Sequence, residues 1–169
     1  MGRIRTLCVA ALLGAMIVVT GCKSKEEAPP PPPPRTNVIL RFKPAPDMNP
    51  NDRGEATPLD VRIYQLKDKQ AFSEAAFEEL WVDATTRLGT SLVAEPKVFT
   101  FEPQPADAAP SAYDFKLEPV TKFLGIMGLF SAERKEGLEE RKVLVSVDEA
   151  GTRVITFTGS AIKIQDPTK

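Results

Sequence analysis

The chain has 169 residues, with 22 Lys plus Arg against 23 Asp plus Glu, 42% apolar residues, 16 Pro, 2 Cys and no His. That length suits one domain with a tail, and a charge near zero offers no basic face to neutralise phosphates, so nucleic-acid binding is not expected. The lack of His removes Ser-His and Cys-His nucleophilic pairs, imidazole proton shuttles and imidazole metal sites, which weighs against catalysis.

The N-terminus addresses the protein. Arg3 and Arg5 precede an almost continuous apolar run from Leu7 to Val19, which ends in Thr20-Gly21-Cys22. A cationic start, about a dozen apolar residues and then small residues make an export signal over residues 1–21. The run is shorter than the roughly 20 residues that a bilayer span requires. Cys22 directly after a small residue resembles the lipobox of bacterial lipoproteins. That resemblance implies cleavage before Cys22 and acylation of both its sulfur and the new amine. The alternative is an ordinary secretory signal with an incidental cysteine. Cys8 leaves with the signal, so the mature chain holds no internal disulfide and must be stable through packing. Lys23 stands where Asp would, by resemblance to enterobacterial lipoproteins, retain the protein at the inner membrane, so outer-membrane sorting is expected. Acyl chains gain about 0.8 kcal/mol per buried methylene, and three of them anchor a protein without spanning the bilayer.

Residues 22–36 read as the lipidated cysteine and a spacer. Six consecutive prolines, Pro29 to Pro34, fix φ and favour an extended helix. At about 3.1 Å per residue they span roughly 19 Å, enough to stand a domain off the headgroups.

Residues 37–165 alternate mainly with a period of two. Val38, Leu40 and Phe42 form one apolar face, and Val61 and Ile63 another. Phe99 and Phe101 within Lys97–Phe101 follow, then Tyr113, Phe115 and Leu117. Val143, Val145 and Val147, Ile155 and Phe157, and Ile162 and Ile164 complete the set. Such patterns between Pro, Gly, Asp and Asn clusters predict strands with one buried face. Phe123 to Phe130, with Gly125 and Gly128, predicts a strand buried on both faces or bent at its glycines. Seven or eight strands in this length predict an all-β, two-sheet β-sandwich. One segment differs: Phe72, Ala76, Phe77, Leu80 and Trp81 recur at helical spacing. A short helix over 72–81 is predicted, with Ser73 as N-cap, a Phe72–Phe77 staple and Glu74 in the first turn. It is expected to cover a sheet edge or one end of the sandwich. Residues 166–169 form a C-terminal tail.

Little in this domain reads as chemistry. Asp47 to Gly54 resembles a calcium loop, but Gly falls eighth where the sixth position needs it, and Pro58 occupies the place of the bidentate Glu. No G-x-S-x-G elbow is present, and Ser91 and Ser160 have no His to activate them. Glu78/Glu79 and Glu139/Glu140 read as solvated acids. No cofactor or metal is expected. The unusual feature is the segment from Lys43 to Pro58, long for a strand connection. It carries Pro44, Pro46, Pro50 and Pro58 beside Asp47, Asn49, Asn51 and Asp52. Long loops on a rigid sandwich are often binding loops, and prolines lower the entropy lost on docking. An ordinary surface loop whose Asx residues satisfy their own backbone is the other reading.

The lipobox, then Asn37-Val38-Ile39-Leu40-Arg41-Phe42, Asp47-Met48-Asn49-Pro50 and Thr57-Pro58-Leu59 leading into Val61 to Lys67, resemble the TssJ family. Phe72 to Trp81, Asp83, Leu88-Gly89 and Leu92-Val93-Ala94 continue in the family's order. These are outer-membrane lipoproteins of the bacterial type VI secretion system. The chain departs from the family toward its C-terminus, at Leu124 to Ile126, at Phe130 to Arg134, and at Leu138 to Arg141, where a Trp is missing. The resemblance implies a transthyretin-like sandwich with a small helical addition. It also implies a non-catalytic, lipid-anchored bracket that faces the periplasm and binds the periplasmic region of the inner-membrane protein TssM. The partner loop it implies is Lys43 to Pro58, carried over as a unit. Its candidate contact residues are Lys43, Asp47, Met48, Asn49, Asn51, Asp52, Arg53 and Glu55. A lipoprotein sandwich binding a glycan or small ligand, and a periplasmic hydrolase, are the competing readings.

Overall fold

Period-two alternation folds this chain into eight strands, and the computed structural model describes them over residues 35–131 and 138–166. The signal at 1–21, Cys22, the proline tract, the 132–134 part of the divergent region and tail residues 167–169 lie outside the described residues. One sheet has the order β4 (Ser111–Lys116), β1 (Asn37–Pro44), β7 (Val154–Thr158), β8 (Ala161–Gln165). The other has the order β3 (Leu92–Phe101), β2 (Leu59–Leu66), β5 (Phe123–Gly128), β6 (Lys142–Ser146). All neighbouring pairs are antiparallel except β1 with β7.

The inner faces meet as expected. Val38, Leu40 and Phe42 of β1 share one buried core with Leu59, Val61 and Ile63 of β2, Leu124 and Ile126 of β5, and Ile155 and Phe157 of β7. Each such side chain contributes roughly 1.5–3 kcal/mol on burial, which lets packing alone hold the domain. β5 lies between β2 and β6 and is buried on both faces, as its unbroken apolar run predicts. Pro96 sits in β3, an edge strand, where a missing N–H costs the ladder nothing.

The helical addition differs from the expectation in extent, in capping and in placement. It comprises α1 (Gln70–Glu74) and α2 (Phe77–Leu88), broken at Ala75 and Ala76, so Ser73 lies inside α1 and is not an N-cap. Glu74 is accordingly the last residue of α1. The break is held from elsewhere: Lys142 Nζ, buried, donates to the carbonyls of Phe72 (3.3 Å), Ser73 (3.2 Å) and Ala75 (2.5 Å), capping α1 as a cation suits a helix C-terminus. The Ala76 N–H that opens α2 donates to Glu79 Oε2 at 2.9 Å, and Arg87 Nε binds the same oxygen at 2.9 Å. Those bonds, Arg87 first, hold the Glu79 carboxyl below the ordinary carboxylate range. Asp83 is non-helical (φ −150°, ψ 75°) and re-caps the second half of α2 by accepting from Thr86 N at 3.0 Å. Hydrogen bonding by the Thr86 side chain first, and then by its N–H, lowers the Asp83 carboxyl likewise.

Nor do the helices cover an edge or an end. They lie on the outer face of the β3-β2-β5-β6 sheet, where Tyr64, Leu66 and Met127 pack with Phe72, Leu80 and Leu88 in a second core. Phe72 can lie flat there because Gly125 has no side chain; a Cβ on it would come within 2.6 Å of the Phe72 ring. Burial pushes the Tyr64 hydroxyl up, and it donates to Leu80 O at 3.3 Å.

Two strand boundaries also move. β3 begins at Leu92 instead of Lys97. Val147 leaves the strand reading for a short helix, α3 (Val147–Ala150), because Ser146 Oγ accepts from Glu149 N at 3.3 Å and turns the chain.

Register gives the domain two poles. Asn37 pairs with Lys116, and Leu66 with Phe123, at the end where β1 starts; the Thr36 carbonyl accepts from Leu117 N at 2.9 Å there. Pro44 pairs with Phe157, Leu59 with Phe101 and Val61 with Gly128 toward the other end. The 8 residues of β1 connect the two, a run of about 26 Å at roughly 3.3 Å per residue.

Candidate functional site

The segment leaving β1 at Pro44 and entering β2 at Leu59 crowns the pole opposite Arg35 and Thr36. It has a buried foot and an exposed tip. At the foot, Met48 is fully buried and belongs to the sandwich core. Beneath it lies an aromatic cluster: Phe42 and Phe101 have ring centroids 4.7 Å apart, and Phe101 and Phe157 5.0 Å apart. Each pair of this kind adds about 0.5–1.5 kcal/mol beyond burial.

Asn49 fixes the foot. It is 2% exposed and adopts φ +49°, a left-handed conformation that Asn tolerates better than most residues. Its Nδ2 donates to Thr57 Oγ1 at 2.9 Å and to Pro58 O at 2.6 Å, while its Oδ1 accepts from Ser131 N at 2.6 Å. Its backbone N–H donates to Gly159 O at 2.7 Å, and Thr57 Oγ1 donates back to Asn49 O at 2.7 Å. One residue thus ties both ends of the loop to the β7–β8 turn and to the chain leaving β5. Asp47 is braced too, accepting from Thr158 Oγ1 at 3.1 and 3.2 Å.

The tip is a small hairpin. Pro50 and Ala56 form an isolated bridge, Gly54 N donates to Asn51 O at 2.9 Å, and Asn51 N donates to Glu55 O at 2.9 Å. Gly54 supplies the positive φ (+77°) that closes this type of turn. The Asn51 Oδ1 accepts from the backbone N–H groups of Arg53 and Glu55, and its Nδ2 donates to Glu55 Oε2. Asp52 and Arg53 are exposed, and their side chains hydrogen-bond to nothing else among the described residues.

The eight candidate residues therefore divide. Asp47, Asp52, Arg53 and Glu55 are exposed, Lys43 and Asn51 are half-buried, and Met48 and Asn49 face inward. The braces Thr57, Ser131, Thr158 and Gly159 carry no sequence signal apart from Thr57's place in the loop, because three of them reach it only through tertiary structure. The Asn51 side chain satisfies the loop's own backbone, as an ordinary surface loop would have it, and the tip it braces is polar and exposed. Among the described residues no group of three or more His, Cys, Asp or Glu is placed to hold a metal ion, and no helix is long and apolar enough to cross a membrane.

The described residues thus form a two-sheet sandwich with one braced polar loop at the pole opposite Arg35. The chain matches the family described as T6SS-SciN, type VI secretion lipoprotein, VasD, EvfM, TssJ, over residues 36–163, and it belongs to that family. It is accordingly a non-catalytic, lipid-anchored component of a type VI secretion system, held at the outer membrane with its sandwich facing the periplasm. Among solved structures it is similar to the T6SS lipoprotein TssJ1 from Pseudomonas aeruginosa, at 27% identity over 79% of this chain and 97% of that one, with a TM-score of 0.62. A chain of a type VI membrane complex is 25% identical over 77% of this chain and 98% of that one, with a TM-score of 0.64. A chain of the structure described as the T6SS protein TssM C-terminal domain from EAEC shares the fold at 22% identity, covering 78% of this chain and 98% of that one, with a TM-score of 0.63. No curated protein matches the chain. The fold is the transthyretin-like sandwich with a helical addition that the sequence implies.

Proposed function

We propose that the Lys43–Pro58 loop is the surface by which this lipoprotein holds the periplasmic region of TssM, with acylated Cys22 and the Pro29–Pro34 tract fixing and spacing the other end. The reading rests on one observation above all: the loop's foot is locked by Asn49 and Met48 at the pole opposite Arg35, leaving Asp52 and Arg53 free and Glu55 exposed. A pre-ordered polar tip loses little entropy on docking and gives specificity through hydrogen bonds and charge.

Because Met48 is core, the informative variants leave the foot alone. Replacing Asn51–Glu55 with Gly and Ser, or reversing the tip charges with Asp52→Arg and Arg53→Glu, is expected to leave the melting temperature near that of the parent. Affinity for the purified periplasmic region of TssM, by calorimetry, should fall at least about 30-fold, the size of a hot-spot loss of roughly 2 kcal/mol. Undiminished affinity in both variants refutes the loop's role. Cys22→Ser should move the protein from the membrane fraction to the soluble periplasm, and retention in the membrane would refute the anchor.

A further inference from the structure

The helical addition leaves apolar surface uncovered beside the loop. Trp81, the chain's single tryptophan, is 44% exposed, and Val82 is 82% exposed. The Arg62 guanidinium lies 4.0 Å above the Trp81 ring, and its Nη1 donates to Trp81 O at 3.0 Å. Val98, exposed on β3, is the cross-strand partner of Arg62 on that face. Next to Trp81 opens a pocket of about 240 Å³ lined by Phe77, Trp81, Leu129 and Phe130. Scattered apolar residues on a surface are ordinary. A Trp stacked under an Arg at the lip of an apolar pocket is a different thing, the composition of a binding hot spot.

This patch adjoins the loop. Phe130 in the pocket wall is followed by Ser131, whose N–H is the donor to Asn49 Oδ1 at the loop's foot. Leu129 N donates to Asp60 O, just past the loop's end. The pocket wall and the loop foot are therefore joined by hydrogen bonds at two points.

We propose that this patch is a second contact for the same periplasmic partner: one large apolar side chain of the partner enters the pocket against Trp81, and a neighbouring carboxylate meets Arg62. The proposal rests on the reading that the loop binds that partner. The pocket's volume accommodates one aromatic or leucine side chain, and the Arg62 guanidinium has donors beyond the one given to Trp81 O. Continuity through Ser131 places both contacts within reach of a single partner surface, so the two act together without a separate entropic cost for the second.

The test uses the lone tryptophan. The mature domain is labelled with 5-fluorotryptophan and titrated with the partner's purified periplasmic region, and the single fluorine resonance is followed. The line should shift on binding and lose its sensitivity to exchange of H2O for D2O. Val82→Asp, on an exposed side chain, and Leu129→Asp should each weaken binding at least about tenfold. Val82→Asp should melt where the parent does, which keeps the test clear of misfolding. An unmoved resonance with full binding, or Val82→Asp and Leu129→Asp at parental affinity, overturns the patch and leaves the loop standing. Lost binding in Val82→Asp with full binding in the Gly-Ser tip variant overturns the loop reading, and with it the patch as a second contact. A resonance that shifts on concentrating the labelled domain alone would give the pocket to a second copy of the chain and overturn the proposal. No binding by the unaltered domain overturns both.

Discussion

Asn49→Ala tests the idea that one buried amide organises the Lys43–Pro58 loop. The substitution removes three side-chain hydrogen bonds, to Thr57 Oγ1, Pro58 O and Ser131 N. Each is worth about 0.5–1.5 kcal/mol net. Pro58 and Ser131 are exposed residues that water can reach, so the lower half of that range applies, about 2 kcal/mol for the three. Alanine at φ +49° adds about 1 kcal/mol, because its Cβ crowds the carbonyl in the left-handed region. The total of about 3 kcal/mol lowers the melting temperature of a domain this size by about 10 °C. Asn49→Gly keeps the backbone comfortable and should cost about 2 kcal/mol, which separates the conformational part from the hydrogen bonds. Thermal unfolding followed by circular dichroism measures both, with Asp52→Ala as the control expected to change stability by less than about 0.5 kcal/mol. The reasoning fails if Asn49→Ala melts within about 2 °C of the parent, a shift below what even one of the three bonds should cause.

Other consequences are as direct. Gly125→Ala drives a Cβ to within 2.6 Å of the Phe72 ring; it should cost about 1–3 kcal/mol, partly restored by Phe72→Leu in the same chain, and a neutral Gly125→Ala would remove the close-packing argument. Glu79 and Asp83 have folded-state carboxyls held below their ordinary values, so their support of α2 is complete at neutral pH and is lost as pH falls through the folded values. The amide protons of Ala76 and Thr86, which those carboxylates accept, should report NMR titration midpoints below the ordinary carboxylate range; midpoints at or above it would show that the caps are not formed in solution.

The strands were legible because alternation is local: Val38-Leu40-Phe42 and Val61-Ile63 point their apolar residues where the other sheet must be, and no distant partner is needed to read that. The helical break was not. Local periodicity runs unbroken from Phe72 to Trp81, and what ends α1 is Lys142, a strand residue 67 positions away from Ala75. Two caps are written in the local sequence: Ser146-Val147-Asp148-Glu149 is a capping sequence before α3, and Asp83 stands three residues before Thr86. The second apolar face of β2, Tyr64 and Leu66, likewise signals that something covers that sheet from outside. The loop divides the same way. Its turn chemistry at Asn51 to Gly54 lies in the sequence, whereas the inward course of Met48 and Asn49 depends on Ser131 and Gly159, 82 positions from Asn49 in the first case.

Strand β1 joins the spacer end to the loop end without interruption, flanked by β4 and β7. A pull applied between Arg35 and the loop therefore runs along β1 and loads its bonds to both neighbours sideways, all at once. Bonds sheared together must rupture together, whereas a strand peeled from one end gives way one bond at a time. The parallel partner β7 holds the stretched strand at the loop end, where Pro44 lies beside Phe157.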